Sequence, residues 1–420
     1  MATSDNILQQ VITYQESSLA LLINQNPWIA TANKKFNNFQ NFAGNCNLGD
    51  TVSFDLPPRF VANSSLVATF QGAEQRVQNL IVDQAENVAY SFSAQQFIFN
   101  VDDYMDKFGR AAINELGSRV GENIAENAVS NTYRTFNVPG PGSNVIQPIN
   151  SYQQYAQALA NYRNFGSPNA EAEVYVSDTT IPSVVGSGLN EFALNRNNEI
   201  ANSWMLGKFS NAEFYSSNLL PIHTAGTAGN AGDVLTVDAI DPTGTLLTLS
   251  NASSDIDTYK DGDIITLATA GYDAGTVANS LFFLGFTGHQ QTSQFVQVRV
   301  VGNVDSVGGV ATVQVFPALI DDPTNANSNV NTSVVGAEAR VCPSHRAGLI
   351  VANKPLFAAL PQLPEETPFP TGNMVDPDSG ASFRMYYGSL FGQNERGFVN
   401  DVIWGSTLVP DYAMRIAYPL

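Results

Sequence analysis

The chain has 420 residues, 38 acidic and 19 basic side chains for a formal net charge of −19, and only 14% charged against 44% hydrophobic residues. That length exceeds what one core organises and predicts two or three compact units, and an acidic chain with no run of Lys or Arg lacks the electrostatic footprint of specific nucleic-acid binding. Two cysteines, Cys46 and Cys342, set no disulfide framework and are expected as reduced thiols.

The opening "MATSDNILQQ" has no basic region leading into an apolar core, and "SLALLI" at 18–23 is far too short to span a bilayer, so a soluble cytosolic protein is expected. Ile7, Val11, Ile12, Leu19, Leu22 and Ile23 recur at roughly helical spacing until Pro27 and Trp28 end the pattern. From 49 to 97 the texture is extended. Val52 and Phe54 alternate before Pro57 and Pro58, and Val88, Tyr90 and Phe92 alternate again, which predicts two extended arms joined by a long excursion.

Asn100 is placed to cap a long helix carrying Val101, Tyr104, Phe108, Ala112, Leu116, Val120, Ile124 and Ala128 on one stripe. Gly109, Gly117 and Gly121 weaken such a helix and predict a bend or the close approach of another backbone. After the loop "NVPGPGSNVIQPIN" comes α/β texture: a helix in "SYQQYAQALANYRNF", a strand in "EAEVYVSD" and a helix in "IPSVVGSGLNEFAL". Residues 223–340 then lose helical periodicity. Short strand signals, "DVLTVDAI", "GTLLTLS", "GDIITLA", "FVQVRVVG" and "ATVQVFPAL", sit between Gly, Asp and Asn turns, as in an all-β module. Helical and mixed patterns are expected to return at "AGLIVANKPLFAAL", so the β module reads as an insertion, and the chain closes in alternating apolar segments.

No catalytic or cofactor-binding constellation emerges. His223, His289 and His345 are isolated, "CPSH" at 342–345 has no second ligand pair for zinc, and "VGSGL" at 185–189 misses the hydrolase elbow. The metal candidate is calcium at Asp255, Asp257, Asp261 and Asp263, whose spacing departs from the EF-hand and whose residue types equally suit tight turns.

The order of elements resembles the major capsid (coat) proteins of tailed bacteriophages, the Hong-Kong-97-type fold. It looks most like the coat-protein branch of Salmonella phage P-twenty-two, whose axial domain carries an inserted β-barrel. The likeness is carried by "GDTVSFDLPPRF" with "LIVDQAENVAYSFSAQQFIFNVDDYMDKFGRAAINELGSRVGENI", then by "KDGDIITLA", "QTSQFVQVRVV" and "ATVQVFPALI". It implies an α+β protein with an N-terminal arm at 1–47, an extended loop at 48–85, and a peripheral domain with its spine helix at 86–135. The axial domain follows at 136–222 and 341–394, around the inserted all-β domain at 223–340, with closing strands of the peripheral domain at 395–420.

The implied function is structural and not enzymatic: self-assembly, in the host bacterial cytoplasm, of hexamers and pentamers into an icosahedral procapsid that expands around double-stranded DNA. The implied partners are further copies of the chain, a scaffolding protein and a portal protein, with no sequence-specific DNA contact and no membrane. Some members of the fold crosslink through a Lys on the extended loop. Residues 50–85 hold no Lys, only Arg59 and Arg76, which excludes that bond from this loop. Phe54, Arg59, Phe60 and Arg76 are the candidate subunit-interface residues, the two arginines through ion pairs or hydrogen bonds to a neighbour. A secreted β-rich surface or binding protein, or a calcium-dependent enzyme using the 255–263 loop, are the alternatives from other classes.

Overall fold

The computed structural model describes residues 22, 26–38, 48–62, 70, 75–93, 109–166, 171–188, 208–286, 288–363, 371–375, 381–389 and 395–420. The chain forms two compact units, one from Met1–Asp55, Val77–Ala128 and Leu356–Leu408, the other from Leu56–Arg76, Val129–Pro355 and Val409–Leu420. No described helix is long and apolar enough to cross a membrane.

In the first unit the 14-residue strand Glu395–Leu408 is the organiser. It pairs antiparallel with Gln84–Ser93, with Ser382–Ser389 and, at its C-terminal end, with Leu356–Ala359. The spine helix Arg110–Ser130 buries Ala112, Leu116, Val120, Ile124 and Ala128, the stripe read from the sequence. Trp404 Nε1 donates to Asn123 Oδ1 at 3.3 Å, and Asn127 Nδ2 donates to the Ser406 carbonyl at 2.7 Å, tying this helix to the long strand. The Asn100 cap, Val101, Tyr104 and Phe108, and most of the N-terminal apolar pattern, fall outside the described residues.

Gly121 makes a close approach, though to a side chain and not to the second backbone expected of it. A Cβ there would lie 1.9 Å from Nδ2 of Asn26. Asn26 is itself the N-cap of the short helix Pro27–Thr31, accepting from Trp28 N at 3.0 Å.

The extended region differs from its sequence pattern. Thr51–Leu56 pairs with Arg76–Ile81 in a two-stranded sheet, whereas the Val88, Tyr90 and Phe92 segment joins the sheet of Glu395–Leu408. Both segments alternate with period two, so pattern alone could not select the partner; the ladder breaks at Val82 and Asp83, with Val82 buried in the core beneath the pair. The pair is held at its base by Gly49 N to Val82 O and Val82 N to Asp50 O, and across it Ser53 Oγ donates to Asn79 Oδ1 at 2.8 Å.

The second unit contains an α/β sheet in the order Thr135–Phe136, Ala413–Tyr418, His345–Ala352, Ala172–Ser177, Ala212–Ser217, Lys208–Phe209. Helix Tyr152–Asn164 starts with a capping box between Ser151 and Gln154. Its Tyr155 hydroxyl meets that of Tyr418 at 2.9 Å, and its Tyr162 hydroxyl donates to Tyr412 O at 3.0 Å. The expected helical texture at "AGLIVANKPLFAAL" is instead two strands, His345–Ala352 and Leu356–Ala359. A continuous apolar run fits a buried helix or a central strand equally. Here Asn353 and Lys354 take positive φ, 64° and 49°, and break the run into strands.

Each of the five strand signals read in 233–319 contains a strand. Six strands close on themselves in the ring Ile264–Ala268, Glu338–Val341, Leu235–Ile240, Leu246–Ser250, Ala311–Phe316 and Gln291–Val300, which returns to Ile264–Ala268. Every step is antiparallel. Leu235, Val237, Leu247, Leu249, Leu267, Val296, Val298 and Val313 are fully buried in its core. The chain enters and leaves the barrel along one seam, with Ile222–His223 antiparallel to His345–Arg346, as an insertion into a continuous sheet requires.

Candidate functional site

The four candidate interface residues have different fates. Phe54 is half-buried, its ring 5.1 Å from Phe36 and 4.9 Å from Phe357. Phe60 is 57% exposed. Arg59 and Arg76, from the two legs of the extended loop, converge on one carboxylate of their own chain. Arg59 Nη2 donates to Asp411 Oδ2 at 2.9 Å, and Arg76 Nη2 donates to the same oxygen. Tyr133 Oη stands 3.4 Å from Asp411 Oδ1, and the Arg59 guanidinium lies over the Phe286 ring, 4.2 Å from its centroid. Burial, then the Asp411 charge, pushes the Tyr133 phenol well above its ordinary range, so it stays a neutral donor.

Asp411 sits in the one-turn 3₁₀ segment Pro410–Tyr412 and is itself buried. Arg134, fully buried, holds this turn by donating to the carbonyls of Asp411 and Ala413 at 2.9 and 3.0 Å. Beside the cluster lies a cavity of about 360 Å³ walled by Phe165, Phe283, Phe286 and Phe316, with Arg59, Arg76 and Asp411 on its rim.

A second cluster surrounds the C-terminal end of the spine helix. No basic residue lies in the helix's own last turn. Its terminal carbonyls are served from elsewhere: Arg415 Nη2 donates to Val129 O at 2.6 Å, and Arg299 Nη1 to Ser130 O at 2.7 Å. Arg415 also reaches Gly262 O at 3.3 Å. Cations at this position complement the negative end of the helix dipole and satisfy its orphan carbonyls. The cost is desolvation, which pushes the fully buried Arg415 down to about 10 while leaving it charged at neutral pH. Gln297 adds a two-way contact, accepting from Thr135 N at 2.7 Å and donating to Thr135 O at 3.0 Å. Arg299 and Gln297 come from the barrel, so the insertion is bonded directly to the segment that follows the spine helix.

The acidic loop does not gather its carboxylates. Asp255 accepts from Ser306 Oγ and from the amides of Gly308 and Gly309 at 2.6, 3.0 and 2.9 Å, which hold it below the usual carboxylate range. Asp261 accepts from Gly302 N, and buried Asp263 binds His223 Nε2 and the amides of Gly226 and Lys260. Asp257 takes a positive φ of 48° in the turn. Among the described residues no group of three His, Cys, Asp or Glu is arranged to hold a metal.

Cys342 and His345 are buried together, with Sγ 3.7 Å from Nδ1, but Nδ1 donates to the Pro343 carbonyl at 2.7 Å. Burial pushes the thiol up to about 12 and the imidazole down to about 3, so neither carries charge at neutral pH and no thiolate is generated. Sequence reasoning missed Asp411, Tyr133, Arg134, Arg299 and Arg415. The one available signal was the scarcity of cations, 19 Lys and Arg in 420 residues, several of which lie in otherwise apolar strands.

No family model matches the chain, and no curated protein matches it. Solved structures do. A chain from Mycobacterium phage Che8 is 9% identical with a TM-score of 0.46, over 93% of this chain and 91% of that one. The capsid structure of cyanophage P-SCSP1u gives 10% identity and a TM-score of 0.41, over 89% and 84%, and the mature capsid of bacteriophage PhiM1 gives 10% and 0.38, over 90% and 86%.

Proposed function

We propose that this chain is a structural major capsid protein of a tailed bacteriophage. Its copies assemble as hexamers and pentamers into an icosahedral shell that encloses double-stranded DNA. The observation that carries the proposal is the order of elements, not the likeness to individual solved structures. A two-stranded extended arm precedes a 21-residue helix, and an α/β sheet is interrupted along one seam by a closed six-stranded barrel.

Assembly as a procapsid around a scaffolding protein, joining to a portal protein, and residence in the virion after assembly in the bacterial cytoplasm belong to the same proposal. So does the Hong-Kong-97-type division into arm, extended loop, peripheral domain, axial domain and insertion. The strands assigned to the closing segment at 395–420 divide in the structure, Glu395–Leu408 joining the first unit and Ala413–Tyr418 the second. Phe60, exposed near the arm, remains the clearest candidate for contact with a neighbouring copy.

Negative-stain electron microscopy tests the function directly. The chain is expressed in bacteria alone and beside a candidate scaffolding protein. Closed shells tens of nanometres across, or irregular shells that become regular with the second protein, are expected. Monodisperse monomers or small oligomers in both samples would overturn the proposal.

A further inference from the structure

The inserted barrel carries a second, smaller cavity on its outer face. Along Ile264–Ala268 the side chains alternate, Ile265 and Leu267 entering the barrel core while Ile264 packs outside it with Ile146 and Cys342. Beside that outer cluster lies a cavity of about 120 Å³, lined by Val138, Pro139, Ala268, Tyr272, Phe295 and Val341. Tyr272 and Phe295 form a tilted ring pair, 5.3 Å between centroids. The segment 138–144, "VPGPGSN", supplies one wall. Its prolines fix two backbone angles and Ser143 N closes a turn onto Gly140 O at 3.2 Å, so the wall is pre-shaped.

The charged groups around the cavity are engaged with one another. Glu338 Oε1 and Oε2 accept from the amides of Gly271 and Asp273 at 2.7 and 2.9 Å. Asp273 in turn accepts from Gly142 N at 3.0 Å and from Arg340 Nη2 at 2.8 Å, and Arg340 Nη1 donates to the Ser143 carbonyl. This chain of contacts bonds 138–144 to the barrel and sets two carboxylates against one guanidinium. A polar ligand would have to displace these partners, and an anion would meet the excess negative charge. What the cavity offers is apolar contact.

We infer that this cavity is a binding site for a neutral, single-ring apolar ligand. Size sets the class: an apolar cavity of about 150 Å³ accommodates benzene, and about 120 Å³ leaves room for one ring and not for two. The Tyr272 and Phe295 pair favours an aromatic ring over an aliphatic one, because edge and offset contacts add to the burial of area. A ligand seated here touches both 138–144 and the barrel strands, so its occupancy stabilises their contact. The inference concerns the folded chain and does not depend on what the chain assembles into.

Benzene is the probe, titrated into the full-length chain and followed by saturation-transfer NMR of the ligand and by hydrogen exchange of the protein. Saturable binding with a Kd of about 1 mM or tighter is expected, with slower exchange at the Gly142 amide that Asp273 holds. Ala268→Leu, which fills the cavity, should weaken binding by about tenfold or more. Tyr272→Leu changes a half-buried wall position and should weaken it by about threefold or more, which carries the test if Ala268→Leu does not fold. Benzoate should bind about tenfold more weakly than benzene, or not at all. Uptake of benzene that does not saturate, unchanged affinity in the folded variants, or benzoate binding as tight as benzene would overturn the inference.

Discussion

The barrel and the two-stranded arm are built from the same alternating pattern and end as opposite kinds of structure. In the barrel all six strands find two neighbours, and the inward residues of every strand meet one another. In the arm, among the described residues, two strands have one neighbour each. Their inner face buries Val52 and Leu80, while Val77 and Ile81 remain 53% and 44% exposed on the outer face. Closure removes edges and lets a module carry its own stability, whereas an isolated pair of strands is marginal in water. The arm therefore takes its order from outside the pair, from Phe36 and Phe357 against Phe54 and from Gly405 of the long strand. Gly405 allows this because a Cβ there would lie 1.9 Å from the Ile81 carbonyl oxygen.

The comparison breaks most sharply if the barrel core is opened. Leu267→Ala removes a fully buried side chain from the ring and should cost about 2–5 kcal/mol. In hydrogen exchange of the full chain the loss should spread through all six barrel strands and leave the arm pair unchanged. A loss confined to Ile264–Ala268 would show that the barrel is not one cooperative unit.

Acid should act on the body around the barrel's entry seam. His345 is buried neutral, held down first by desolvation and then by the Arg415 charge. Its folded value of about 3 lies below the ordinary 6.5, so at pH under 6.5 the unfolded chain binds the extra proton and folding weakens. The contribution is whole above pH 6.5 and declines by about 1.4 kcal/mol per pH unit as pH falls from there towards 3. Thermal unfolding midpoints followed between pH 7 and 4.5 should show this slope in the natural chain and a shallower one in His345→Gln. Parallel slopes would remove His345 as the cause.

The smallest effect sharpens the arm's side of the contrast. Phe54→Ala removes a half-buried ring from the Phe36 and Phe357 cluster and should cost about 1–2 kcal/mol. Its exchange signature should be faster opening of Thr51–Leu56 and Arg76–Ile81 with the barrel untouched, the mirror of Leu267→Ala. Protection of the arm at its original level would mean that the strand pair stands without that support.

Much of the barrel was legible because its strands alternate over short spans and are punctuated by turn chemistry that needs no distant partner. Asp241, for instance, binds the amides of Thr243, Thr245 and Leu246 within its own turn. The stripe on the spine helix was legible for the same reason, since 3.6-residue periodicity is local. Strand partnership was not. Val52–Phe54 and Val88–Phe92 carry equal patterns, and only tertiary packing sends one to Arg76–Ile81 and the other to Glu395–Leu408.

The candidate site divides along the same line. The sequence by itself determined the composition of the extended loop, with two arginines and no lysine between 50 and 85, and the separateness of the β module. Tertiary structure alone decided that Arg59 and Arg76 meet Asp411, more than 330 residues away, and that Arg299 and Arg415 cap a helix with no cation in its own last turn. Periodicity and turn chemistry act over a few residues and are written in the local sequence. Ion pairing and helix-end capping depend on which distant segments the fold brings within about 3 Å of each other, and no local pattern records that distance.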